Sequence, residues 1–148
     1  MENIYELEEL EDQMENATEE ERMNKVMEYF PNFKLKTCRM GEGKRGENKY
    51  KVTISNQDQK YNTTFTDSLY NTYNNTKSSN FEILYCIISD AVSYYYNDTV
   101  EDFINEFGYE DEKQAKRIYD GCRRSYEGLS NLFGEDSIEV FNAITYNY

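Results

Sequence analysis

The period of the apolar residues changes twice along these 148 residues, and this change limits the folds open to the chain more than any other feature. Between Phe33 and Phe65, apolar and β-branched residues alternate with polar ones: Phe33, Leu35 and Thr37, then Tyr50, Val52 and Ile54, then Tyr61, Thr63 and Phe65. A period of two predicts strands with one buried face. The loop from Gly41 to Asn48 joins the first two, and the tight Asn56-Gln57-Asp58-Gln59 turn joins the second and third. On both sides the period is helical. Strands grouped together and followed by helices predict an α+β fold, with a small three-stranded antiparallel sheet packed against a helical half and preceded by an acidic helical arm. The arm takes residues 1–30 and a single α+β domain takes 31–148, with strands over about 33–66 and helices over about 80–146.

Local signals place the helices. In the arm, Ile4, Leu7, Leu10 and Met14 recur at helical spacing. Thr18 with Glu21 forms a capping box that starts a second helix burying Met23, Val26 and Met27, and Pro31 ends it. The tract from Ser68 to Asn80 has no apolar period and reads as an exposed loop. Ser79 with Glu82 opens a helix through Ile83, Leu84, Ile87, Ile88, Ala91 and Val92. Asp98 with Glu101 caps a short one presenting Phe103, Ile104 and Phe107, with Gly108 at its left-handed end. Asp111 starts a longer helix through Ala115, Ile118, Tyr119, Cys122, Tyr126, Leu129 and Phe133, stopped by Gly134, and a last helix runs from Ser137. Val52 and Ile54 should pack against Ile83, Ile87, Val92, Phe103, Ile118 and Leu129, the strongest apolar faces.

Charge narrows the function classes. The net charge of −13 is segregated: −9 over residues 1–30, +5 over 31–60, −3 over 61–98 and −6 over 99–148. Such an acidic total disfavours direct binding to DNA or RNA, because repulsion replaces the counterion release that drives it. With no histidine, the commonest general base and most zinc sites are absent. Cys38, Cys86 and Cys122 form no C-x-x-C pair, as suits a reducing compartment. No basic segment and apolar run follow Met1, and no apolar stretch approaches the roughly 20 residues of a membrane span, so the expected location is the cytoplasm, with no membrane partner.

Gly41-Glu42-Gly43-Lys44-Arg45-Gly46 matches the G-x-G-x-x-G dinucleotide fingerprint, but a strand follows it where the fingerprint needs a helix amino terminus, so a hairpin loop is expected. Glu101, Asp102 and Glu106, like Glu110, Asp111 and Glu112, lack the alternate spacing and central glycine of a calcium loop. They suit the positive end of a helix dipole. No carboxylate pair is singled out for hydrolysis, and neither a metal nor a cofactor is expected. Two groups remain as partner-binding candidates. The acidic group is Glu8, Glu9, Glu11, Asp12, Glu15, Glu19, Glu20, Glu110, Asp111 and Glu112, whose spaced carboxylates can imitate a nucleic-acid backbone and occupy a basic channel on a partner. A solvated helix face, or an arm neutralised by Lys34, Lys36, Lys44, Arg45, Lys49 and Lys51, explains the same charges. The aromatic group is Tyr70, Tyr73, Tyr95 and Tyr96, drawn from 15 tyrosines; exposed tyrosine favours interfaces, although AT-rich coding sequence also produces abundant Asn and Tyr.

From Tyr50-Lys51-Val52-Thr53-Ile54-Ser55 the chain resembles a family of short acidic proteins encoded by bacteriophages and prophages of low-GC bacteria. The likeness continues through Phe65, Leu84 to Cys86 and Asp90-Ala91, and most specifically through Val100-Glu101-Asp102-Phe103, Glu106-Phe107-Gly108-Tyr109 and Ile118-Tyr119. It spans about residues 50–133 and brings no catalytic residues with it. The resemblance implies a non-enzymatic inhibitor of a host nucleic-acid-targeting defence complex, with an anti-CRISPR role preferred, acting in the bacterial cytoplasm on a protein or ribonucleoprotein partner. The alternatives are a sponge or small enzyme acting on a nucleotide signal through the basic hairpin, or a phage regulatory adaptor without inhibitory activity.

Overall fold

Capping side chains fix the helix starts before packing enters. Thr18 accepts a hydrogen bond from the Glu21 backbone N–H at 3.1 Å while its own N–H donates to the Glu21 carboxylate at 3.0 Å. Ser79 and Glu82 repeat this reciprocal box at 3.1 and 2.8 Å. The computed structural model describes residues 4–148, with side chains from Glu6 onward, so the side chain of Ile4 in the expected apolar stripe lies outside the described residues. The element order is α1 (Ile4–Met14), α2 (Glu19–Tyr29), β1 (Phe33–Glu42), β2 (Asn48–Asn56), β3 (Gln59–Thr66), α3 (Leu69–Tyr73), α4 (Asn80–Tyr95), α5 (Val100–Phe107), α6 (Glu112–Phe133) and α7 (Ser137–Ile144). The fold is α+β, as the period changes predict.

The sheet is antiparallel in the order β1-β2-β3, and the Asn56↔Gln59 pair closes the two-residue turn over Gln57, which takes φ 57°. Leu35↔Ile54↔Tyr61 and Thr37↔Val52↔Thr63 stack across the sheet on the face turned towards the helices. Val52 and Ile54 are fully buried in one cluster with Ile83, Leu84, Ile87, Ile88, Ala91, Leu129 and Phe141. Three of the expected partners differ. Ile118 is half-buried on α6 and is not part of this cluster. Val92 is only half-buried at the edge of the cluster, and Phe103 is buried in a separate aromatic group with Tyr109 at 5.5 Å and Tyr119 at 5.2 Å between ring centroids. Phe103 lies on α5, which packs on the flank of α6.

Three local expectations are corrected. The tract after Ser68 contains α3, because Ser68 accepts from the Asn71 N–H at 3.0 Å and starts a turn of helix. The cap of α5 is Thr99, which accepts from the Asp102 N–H at 3.1 Å, not Asp98. Met27 is 42% exposed, since the inward face of α2 is the Arg22 and Val26 pair, one helical turn apart. Gly108 does end α5 in the left-handed region at φ 70°, where a Cβ is disfavoured.

The arm belongs to the core. Leu10 and Met14 join the main cluster, and α1 lies against α7. Arg22 is 1% exposed. Its Nη1 donates to the carbonyls of Ile144 and Tyr146 at 2.8 Å each, Nη2 donates to Met14 O at 2.8 Å, and Nε donates to Ala17 O at 3.2 Å. Met14 and Ile144 are the last residues of α1 and α7, while Ala17 lies in the link before α2 and Tyr146 just past α7, so one guanidinium ties two helix ends together.

Two stability outcomes follow from these contacts. Arg22→Met keeps an apolar stem but strands the buried carbonyls, and should cost about 3 kcal/mol in urea denaturation; a loss well under 1 kcal/mol would show that those oxygens find other donors. Gly128→Ala gains about 1 kcal/mol of helix propensity. However, a Cβ there would lie 2.5 Å from Cγ and Cδ1 of the Tyr61 ring. Overpacking of this kind costs about 1–3 kcal/mol, so the melting temperature should fall rather than rise.

Candidate functional site

Helix α1 turns its apolar residues to α7 and its carboxylates outward. Glu8, Glu9, Asp12 and Glu15 are exposed and Glu11 is half-buried. Among the described residues none of the five takes part in an ion pair within 4.0 Å. Their charges are left to solvent because the basic residues of the sheet lie elsewhere, so neutralisation of the arm in cis does not occur through direct pairing.

Glu8 and Glu11 line a shallow groove of about 310 Å³ together with Leu7, Tyr96, Glu139 and Asn142. The fold therefore joins two residue groups that the sequence keeps some 85 positions apart, at the meeting of α1, α7 and the end of α4. Tyr95 donates its hydroxyl to Glu139 Oε1 at 2.8 Å, and that bond first, then burial, pushes its pKa up to about 12. Tyr96 is 62% exposed and stands edge-on to Tyr95, with ring centroids 5.0 Å apart. Packing of the Tyr96 hydroxyl, then the Glu139 and Glu11 carboxylates, raises its pKa. Tyr95 is thus fixed by its bond to Glu139, and Tyr96 is the exposed ring of the pair.

The other candidates sit apart from this groove. Glu20 is exposed at the start of α2. Glu19 accepts from Ser79 Oγ at 2.6 Å and from the Tyr148 hydroxyl, so it ties α2 to the start of α4 and to the segment after α7. The Ser79 bond first, then Tyr148, lowers its pKa. Asp111 caps α6, accepting from the N–H groups of Lys113 and Gln114 at 3.0 and 3.2 Å. Glu112 pairs with Lys116 at 3.3 Å, and Glu110 is exposed between α5 and α6. Tyr70 and Tyr73 on α3 are 75% and 76% exposed.

Asp67 holds the segment that carries those two tyrosines. It is 4% exposed, and its carboxylate accepts from the N–H groups of Ser68 and Ser78, the Asn71 amide and the Ser78 hydroxyl, at 2.8 to 3.0 Å. Burial would raise its pKa, but these donors, led by the Ser78 N–H, outweigh burial and lower it. Sequence reasoning passed over Asp67 and Glu139 because each gains its role from a residue 11 or 44 positions away, which no local pattern encodes.

Among the described residues no three His, Cys, Asp or Glu side chains converge as a metal ion requires, and no helix is long and apolar enough to cross a membrane. Burial pushes the Cys122 thiol up to about 12, which suppresses its thiolate, and Cys38 and Cys86 are free. In the hairpin, Glu47 Oε1 accepts from the Arg45 N–H at 2.7 Å and its carboxylate fills the space beside Gly43, so the G-x-G-x-x-G loop is closed on its own acid. No protein-family model matches the chain, and no curated protein or solved structure is significantly similar to it.

Because the Asp67 pKa is lowered on folding, its tether stabilises above the ordinary aspartate range and is lost as pH falls through the lower folded value. Asp67→Ala should raise amide exchange at Ser68 and Ser78 about tenfold or more, since a bond to a charged acceptor contributes about 1.5–3 kcal/mol, and should leave α4 protected. Exchange rates at those two amides equal to wild type would show that α3 is held without this carboxylate.

Proposed function

We propose that the protein is a non-enzymatic, phage-type inhibitor of a host nucleic-acid-targeting defence complex, with an anti-CRISPR role preferred. It works by placing the outward carboxylates of α1 in a basic nucleic-acid channel on its target. The observation that carries this reading is the unpaired run Glu8, Glu9, Glu11, Asp12 and Glu15 on a helix that Leu10 and Met14 anchor to the core. Glu8 to Glu15 covers about 10 Å of helix at 1.5 Å per residue. An array that must match fixed basic groups loses less entropy on binding if it is held in place beforehand. Tyr96 in the adjoining groove adds a broad ring contact beside the charges. The phage context rests on the resemblance over residues 50–133. Closure of the hairpin by Glu47 weighs against the nucleotide-sponge alternative, and nothing specific favours a regulatory adaptor.

Affinity capture from a lysate of the host identifies the target, and charge substitution then tests the mode of binding. Replacing Glu8, Glu9, Glu11 and Glu15 with Gln and Asp12 with Asn should slow association about tenfold or more at low salt, because long-range steering depends on charge. The same variant should lose most of the wild-type sensitivity to salt, since the attraction is screened over roughly 10 Å at 0.1 M. Deletion of residues 1–16 is not an equivalent test, because it removes Leu10 and Met14 from the core. Association and inhibition that match wild type in the substituted protein would make the arm a solubility device.

A further inference from the structure

The side of the sheet turned away from the helices has the opposite character to the arm. Lys34, Lys36, Lys49, Lys51 and Lys60 all project from it, and by register no carboxylate does. Glu42 pairs with Asn48 on the helix side of the sheet, where it lies 3.8 Å from Arg39. Four of these lysines are exposed and Lys49 is half-buried, and among the described residues none is in an ion pair within 4.0 Å. In a chain of net charge −13, five cations on one open face without an ion-pair partner among the described residues stand out.

We propose that this face is a docking surface for the phosphate backbone of a nucleic-acid duplex. Same-face residues on a strand lie roughly 7 Å apart and neighbouring strands about 4.8 Å apart. The lysines therefore cover a strip about 10 Å wide and 20 Å long, and 20 Å of duplex presents about twelve phosphates. Between the lysines stand Thr53, Asn62, Thr64 and Thr66, hydroxyl and amide groups of the kind that position a backbone without reading bases. The face carries no aromatic ring, so bases of a single strand have nothing to stack on. It likewise lacks the buried aromatic or arginine anchor that dominates protein interfaces. The acidic arm does not prevent this contact, because α1 packs on α7 rather than on the sheet. Beyond a screening length of roughly 10 Å its repulsion fades.

This inference does not depend on the role of the arm, and fluorescence anisotropy with a labelled mixed-sequence duplex of DNA, and another of RNA, tests it on the intact protein. Three to five phosphate contacts should weaken binding roughly 40- to 500-fold between 50 and 200 mM salt. Replacing all five lysines with Gln should abolish binding, and replacing them with Arg should preserve it; circular dichroism checks that both variants stay folded. The arm variant with neutralised carboxylates should bind duplex at least as well as wild type, which separates this outcome from failure of the inhibitor reading. The proposal is overturned by no anisotropy change at 50 mM salt with about 100 µM protein, the weak end of non-specific affinities. It is equally overturned by binding that survives Lys→Gln, by binding to single strands alone, or by binding only to phosphatidylserine vesicles.

Discussion

The guanidinium of Arg22 holds the architecture together at the point where the acidic arm meets the rest of the chain. A buried cation normally requires a carboxylate, because removal of its hydration costs several kcal/mol. Here the compensation comes from main-chain carbonyls alone, drawn from the ends of α1 and α7 and from the link before α2. Those carbonyls carry the negative end of each helix dipole, so the charge sits where the backbone already concentrates the opposite sign. The Tyr148 ring lies 5.6 Å from the guanidinium carbon. A carboxylate at this position would neutralise the cation but could not satisfy both helix ends, whereas the planar fork of arginine reaches them at once. Together with Leu10 and Met14, which pack α1 into the core, this side chain helps fix the orientation of α1 and the direction in which the arm's carboxylates point.

A net charge of −13 describes this molecule poorly once the fold separates its parts. Acids gather on the outward side of α1, and five lysines gather on the outer side of the sheet. At physiological ionic strength charges interact over about 8 Å, so a partner responds to the patch it touches more than to the total. The expectation that nucleic acid is repelled follows from summing the charge over the whole chain; the proposed sheet surface follows from resolving it by face. The same segregation leaves the arm's carboxylates unneutralised, which a more even distribution of Lys34, Lys36 and Lys51 would have prevented.

The elements of the fold were legible because their signals are local. Thr18 with Glu21, Ser79 with Glu82, and the alternation through Tyr50, Val52 and Ile54 each act within a few residues, and each behaves as the sequence predicts. The errors share a cause. Apolar periodicity alone places Met27 inside, but Arg22 occupies that face through bonds to residues 122 and 124 positions away. The tract after Ser68 reads as loop because it lacks an apolar period, yet Asp67 folds it by accepting hydrogen bonds, a force that hydrophobic periodicity does not register. The candidate site is divided in the same way. Charge at Glu8 and Glu11 was visible in sequence, but its meeting with Tyr96 and Glu139 was not.

That meeting bears on how the groove can work. Tyr95 is committed to Glu139, so that carboxylate already accepts one hydrogen bond from within the molecule. The groove gathers three carboxylates, Glu8, Glu11 and Glu139, beside the Tyr96 ring. A partner approaching it with arginine or lysine finds acceptors on two helices, α1 and α7, whose relative position is fixed by the core and by Arg22. Charges carried on a flexible arm would supply the same attraction at long range but would have to be ordered on contact, at a cost of about 1–2 kcal/mol per residue. In this chain that ordering is completed by folding, through Leu10, Met14 and Arg22, which leaves Glu8, Glu9, Asp12 and Glu15 exposed and Glu11 half-buried at the groove.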